Sequence, residues 1–97
     1  MINHVAIVRL RPDVTDEQRA DLSARVDALV AAQLATTLHF GYDAGIGNRT
    51  NADLALVARF PDREGLGAYL VHDRHKEVIS LLGAIASDIS AVQFVSG

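Results

Sequence analysis

The chain has 97 residues, 49% of them apolar, a formal net charge of −3 and no cysteine. That length predicts a single domain spanning residues 1–97, and the missing thiols exclude disulfides, thiolate nucleophiles and thiolate metal sites. No basic stripe is available to neutralise phosphates, no segment is rich enough in lysine and arginine for an anionic membrane surface, and no apolar run approaches the ~20 residues that span a bilayer, so neither nucleic acid nor membrane is an expected partner. The amino end lacks the order of a signal peptide, and with the absence of cysteine this leads to the expectation of a cytoplasmic protein.

Residues 2–10 read as a strand that stops at Arg11-Pro12-Asp13, because Pro12 has no N–H for a ladder and biases Arg11 away from helix. A helix start follows at Thr15-Asp16-Glu17-Gln18. Thr15 can cap, Gln18 occupies the capping-box position, and the two acids suit the positive helix end. Leu22, Val26, Leu29, Val30 and Gln33 continue at helical spacing, the first four as an apolar stripe, with Asp21 and Arg25 paired on the wet side. Residues 36–43 predict a second strand with Leu38, Phe40 and Tyr42 on one face and His39 and Gly41 on the other. Residues 44–52, rich in Gly, Asn and Thr, read as a hairpin connection. The spacing Gly41-x-x-x-Gly45-x-Gly47 is neither a P-loop nor a dinucleotide fingerprint, since no Lys-Ser/Thr pair and no helix follow.

Residues 53–60 predict a third strand ended by Pro61. Asp62 then caps a short helix through Leu70, weakened by Gly65 and Gly67. A second helical piece runs from about His72 to Leu82 and stops near Gly83, and residues 89–95 form the last strand. Arg9, Arg59 and Asp53 read as rim or interface charges. The order strand, helix, strand, strand, helix, strand is that of a split βαβ, so the fold class is α+β, ferredoxin-like, with one four-stranded antiparallel sheet and helices on one side. A sheet with one face in water should alternate apolar and polar residues. Here Val5 and Ile7 oppose Ala6, Val8 and Leu10, Ala55 and Val57 oppose Leu54 and Leu56, and Val92 and Phe94 oppose Ala91 and Val95. Both faces are apolar, which predicts a two-fold homodimer packed sheet to sheet.

The segment most able to carry chemistry is Tyr69-Leu70-Val71-His72-Asp73-Arg74-His75, with His4 in the first strand as a further imidazole. Histidine exchanges protons near neutral pH, and a phenol donates a hydrogen bond to a developing oxyanion. His72, His75 and His4 as zinc ligands are a weak pattern, and no metal is assigned. His39 reads as a sheet residue.

On His4 in Asn3-His4-Val5, Phe40-Gly41, the apolar third strand ending at Phe60, and Tyr69-x-x-His72-x-x-His75, the chain resembles the stress-responsive dimeric α/β-barrel (Dabb) family over almost its whole length. The resemblance implies a ferredoxin-like subunit pairing into a dimeric α/β barrel with a small apolar cavity. Some members of that family are polyketide cyclases. By that likeness His75 is the general base and Tyr69 the residue that orients or polarises substrate, with His4, His72, Leu54 and Phe40 lining the pocket. Asp73 and Arg74 stand where the family commonly has proline and a small residue. Leu54 stands where the cyclases carry a second strand-borne histidine, and their late aspartate is replaced around Val95. The implied function is cofactor-independent acid–base chemistry of the cyclase or lyase kind on a small apolar or aromatic ligand. The alternatives are a non-catalytic oligomerisation or ligand-binding stress protein, and a cofactor-free monooxygenase of the dimeric-barrel type.

Overall fold

The computed structural model describes residues 1–47 and 50–97, so Asn48 and Arg49 of the expected hairpin connection lie outside the described residues. The element order is β1 (Ile2–Leu10), α1 (Asp16–Ala31), β2 (Thr37–Tyr42), β3 (Leu54–Phe60), α2 (Arg63–Val71), α3 (Asp73–Ile85) and β4 (Ala86–Val95). The strands form one antiparallel sheet in the order β2-β3-β1-β4. This is the ferredoxin-like arrangement expected, with the second helical region split in two. No helix of the described residues is long and apolar enough to cross a membrane.

Helix α1 starts with a complete capping box: Gln18 N donates to Thr15 Oγ1 at 3.1 Å, and Thr15 N donates to Gln18 Oε1 at 2.9 Å. Two of the orphan donors at the helix start are thereby satisfied. Leu22, Val26 and Leu29 are buried. Val30, expected in the same stripe, is 42% exposed, because at 100° per residue it lies about 80° round the helix from Leu22. Gln33 does not continue the helix. It takes φ 53° just past the cap residue Ala32, the left-handed closure in which glycine is commoner. Arg25 pairs with Asp21 at 3.0 Å and also donates from Nη1 to the Glu77 carbonyl at 2.7 Å, tying α1 to α3.

Two boundaries differ from the sequence reading. Gly83 does not stop α3, which continues to Ile85, and β4 begins at Ala86 rather than at residue 89. The exposed glycine costs helix propensity but leaves room, with no neighbour within 4 Å of a Cβ built there, and burial of Val78, Leu82 and Ile85 on the other side of the helix holds the turn. Asp53 is a backbone staple rather than a rim charge: its Oδ2 accepts from Leu10 N at 2.7 Å while its own N donates to Val8 O at 2.9 Å. Arg9 donates to the carbonyls of Thr50 and Asn51.

The ladder register sorts the side chains. His4, Ala6 and Val8 of β1 share the helix-covered face with Ala58, Leu56 and Leu54 of β3, and the core lies there, around Val8, Leu22, Phe60 and Ile85. On the other face, Val5 lies between Val57 and Val92, and Ile7 between Ala55 and Ser90. Ile7, Val92 and Phe94 are 45%, 54% and 50% exposed. The second face is apolar along its middle only, since Arg9 pairs with Asp88 at one end and Thr37 with Arg59 at the other. Leu22 is fully buried between α1 and the sheet, and Leu22→Ala is expected to destabilise the fold by about 2–5 kcal/mol through lost transfer energy and a residual cavity. Urea denaturation checks this, and a midpoint unchanged from the wild type would place the core elsewhere.

Candidate functional site

A break between two helices builds the site. Asp62 caps α2 by accepting Gly65 N at 2.8 Å, and the helix carries Tyr69 inward, where it is 1% exposed. At His72 the backbone becomes extended (φ −70°, ψ 143°) and α3 starts afresh. His72 Nδ1 accepts from Arg74 N at 3.1 Å. His72 is therefore the cap of α3 and not, as expected, a residue of the pocket. Asp73 sits in the first turn of α3, where a negative charge suits the helix dipole. Arg74 pairs with Glu77 at 3.2 Å.

In an unbroken helix Leu70 O would accept from Arg74 N. Since His72 has taken that N–H, Leu70 O is free, and His75 Nδ1 lies 3.1 Å from it. A carbonyl only accepts, so His75 carries its proton on Nδ1 and keeps Nε2 as a bare acceptor. The ring is thus oriented by a main-chain carbonyl.

Tyr69 stands between two imidazoles. Its ring centroid is 4.7 Å from that of His75 and 6.0 Å from that of His4, with Phe60 at 5.0 Å behind it. The tyrosine and the two imidazoles border a cavity of about 50 Å³ between sheet and helices, whose lining includes His4, Phe40, Leu54, Tyr69 and His75. Five of the six residues expected at the site are brought together there, and His72 is not. With His72 spent as a cap, the three histidines weighed as zinc ligands do not converge, and no group of three metal-ligating side chains gathers among the described residues.

The cavity is lined almost entirely by carbon, and this sets the protonation states. Burial pushes the Tyr69 phenol up to about 12, so it is an O–H donor at neutral pH. Burial lowers His75 below the ordinary 6.5, the bond to Leu70 O acting in the opposite sense. Burial, and then the charge of His75, lower His4. Both rings are neutral at pH 7. Three features escaped the sequence reading. Leu70 contributes a backbone atom, which no residue pattern reports. Ile79 and Ile89, 44% and 43% exposed, stand at the outer rim of the cavity. Gln93, facing His4 across the β1–β4 ladder, places its Nε2 2.9 Å from His4 Nδ1. Its signal was a lone amide in the inward series Ile89, Ala91, Gln93, Val95.

A four-stranded antiparallel sheet with helices on one face and a histidine–tyrosine cavity beneath them defines a ferredoxin-like α+β domain. The chain belongs to the family described as the stress responsive A/B barrel domain, which matches residues 2–96. It is similar to a dimeric ferredoxin-like protein of unknown function from Thermobifida fusca, with 30% identity, a TM-score of 0.89, and 98% of this chain and 90% of that chain covered. A hydroxynitrile lyase from Passiflora edulis shares the fold at 12% identity and a TM-score of 0.82, with 99% and 93% covered. So does an antibiotic biosynthesis monooxygenase at 15% identity and 0.79, with 100% and 99% covered. No curated protein matches the chain.

The lowered imidazole values predict a pH dependence. In the unfolded chain His4 and His75 titrate near 6.5, and in the folded chain they titrate lower. Below 6.5 the unfolded state therefore binds more protons, and the stability these groups contribute is lost as pH falls from 6.5 through the folded values. Urea midpoints should decline across that window, and less so in the His4→Gln/His75→Gln double variant. Histidine NMR titration checks the cause directly; a midpoint at or above 6.5 for either ring would contradict it.

Proposed function

We propose that the protein is a homodimeric barrel-domain enzyme that moves a proton at a carbon next to a carbonyl, with His75 as base and Tyr69 as oxyanion donor. The observation that carries this is the placing of the His75 and Tyr69 rings, 4.7 Å apart, on the wall of one apolar cavity. His75 Nε2 takes the proton from the carbon, and the electron pair passes to the carbonyl oxygen. That oxygen is held by the Tyr69 O–H. The imidazolium so formed keeps its bond to Leu70 O and returns the proton to carbon, or to oxygen after an aldol-type bond has formed or broken. A cavity of about 50 Å³ admits only the reacting head of a molecule, so a longer chain, polyketide-like or other, would leave past Ile79 and Ile89. No organic cofactor enters the step.

The test is hydrogen–deuterium exchange into a small apolar aromatic ketone, 2-indanone, followed by NMR in deuterium oxide. Wild-type protein should accelerate exchange above buffer. His75→Ala should abolish the acceleration, and Tyr69→Phe should reduce it about 10²–10³-fold, with both thermal midpoints near that of the wild type. Loss of folding in both variants, or no exchange with wild type, would favour structural histidines in a ligand-binding module.

Pairing of two copies through the open sheet face is supported by what a lone chain leaves there. Val92 and Phe94 are about half exposed. Arg59 Nε on the same face is buried without a hydrogen-bond partner among the described residues, an arrangement costing about 1–3 kcal/mol. Completing the burial of Ile7, Val92 and Phe94 on both copies, at about half of the roughly 1.5–3 kcal/mol that a full burial contributes, gives a gain within the range of the association cost of about 4–15 kcal/mol. Val92→Asp puts a charge in the middle of that stripe and should convert a dimer into monomers in sedimentation analysis. A wild type that sediments as a monomer at micromolar concentration would refute the pairing.

A further inference from the structure

We infer that Gln93 is a positioning residue of this site, holding His4 as the Nε2–H tautomer so that His4 donates a hydrogen bond where His75 accepts a proton. The inference rests on the acid–base reading of the cavity and adds to it a second donor for the carbonyl oxygen. Gln93 is on the edge strand β4 and faces His4 in the β1–β4 register. Its Nε2 is 2.9 Å from His4 Nδ1. An amide nitrogen only donates, so Nδ1 accepts, and the single proton of a neutral imidazole goes to Nε2.

His4 is 6% exposed and lines the cavity. The titratable groups packed around it are Tyr69 and His75, and neither is an acid that would keep the ring charged. The two histidines are thus fixed in opposite tautomers by different partners: His75 by a carbonyl through Nδ1–H, His4 by an amide through bare Nδ1. The result is two donors, Tyr69 O–H and His4 Nε2–H, and one acceptor, His75 Nε2. That set matches a neutral carbonyl compound with an acidic C–H beside the carbonyl. The oxygen takes both donors and the C–H faces His75. A carboxylate would bring charge next to a carbon-lined wall with no cation among the cavity-lining residues to meet it.

Nitrogen-15 NMR of the imidazole rings in the ligand-free wild-type protein reads the tautomer without substrate. His4 should show protonated Nε2 and bare Nδ1, and His75 the reverse. In Gln93→Leu the His4 signals should move toward the exchange average of free imidazole. For 2-indanone exchange, kcat should then fall about 10-fold or more with KM changed little, because a donor to the oxyanion acts in the transition state. Gln93→Glu can only accept, so it should draw a proton onto His4 Nδ1, a signature that loss of packing would not produce. A His4 carrying its proton on Nδ1 in the wild type, or a Gln93→Leu protein with unaltered His4 signals, would overturn the inference. A correct His4 tautomer in a protein that exchanges no ketone would instead refute the acid–base reading and leave Gln93's hold on the ring standing.

Discussion

The arrangement of the site depends on one exchange of hydrogen-bond partners at the break between α2 and α3. A continuous helix would consume Leu70 O and Arg74 N on each other. By turning extended at His72 and bonding Arg74 N to its own ring, the chain releases Leu70 O, which then orients His75. The first helix ends with Tyr69 pointing into the core and the second begins with His75 beside it. The spacing Tyr69-x-x-His72-x-x-His75 is therefore a structural sentence as much as a chemical one. Its middle histidine never reaches the cavity, yet the geometry of the last one follows from it. Any residue at 72 that continues the helix would restore the ordinary i to i+4 bond and take away the orienting partner of His75.

The same strands serve two surfaces, because side chains alternate. β1 sends His4, Ala6 and Val8 to the helix-covered face and Val5 and Ile7 to the open one. A one-residue slip would exchange the two sets, placing His4 on the open surface and Val5 in the cavity. The β-bulge between Arg9 and Leu10 falls beyond both sets, and Asp53 secures that end by bonding Leu10 N. The register is thus held at the end of β1 remote from Gln93, while the Asn3 side-chain amide, donating to Phe94 O and Ser96 Oγ at 3.3 and 2.7 Å, holds the other.

Much of this was legible in the residues. The capping box at Thr15 and Gln18, the alternation of Leu54 to Phe60 and the prolines at 12 and 61 are local signals, and the structure realises each of them. Val30 and Gln33 were misjudged because apolar or neutral residues near a helix end fit the period without lying on the buried stripe. Gly83 reads as a stop in the sequence because glycine propensity is local, whereas the burial of Leu82 and Ile85 that outweighs it is tertiary. His72 and His75 are the same residue type at equivalent-looking positions. What separates them is a backbone dihedral. Gln93 and His4 are 89 residues apart, so their contact exists only once β4 has been laid beside β1.

Burial lowers both imidazoles, while their hydrogen-bond partners differ: a main-chain carbonyl for His75 and a side-chain amide for His4. A base in an apolar cavity is usually made stronger by a carboxylate on its far nitrogen, and a buried ion pair of that kind costs desolvation twice. A carbonyl partner costs less and fixes the tautomer equally well, but its upward pull on His75 does not offset the lowering by burial, so the ring stays a weak base. A weak, neutral base is suited to a carbon acid only if the resulting oxyanion is well held, since the carbonyl oxygen must then bear the charge. The phenol held up at about 12 cannot easily surrender its proton, so in the proposed reaction Tyr69 would stabilise that oxygen by donation rather than by transfer. For the proposed reaction the weakness of His75 and the stubbornness of Tyr69 would be complementary, and a second donor from β1 is the group such a site would most need.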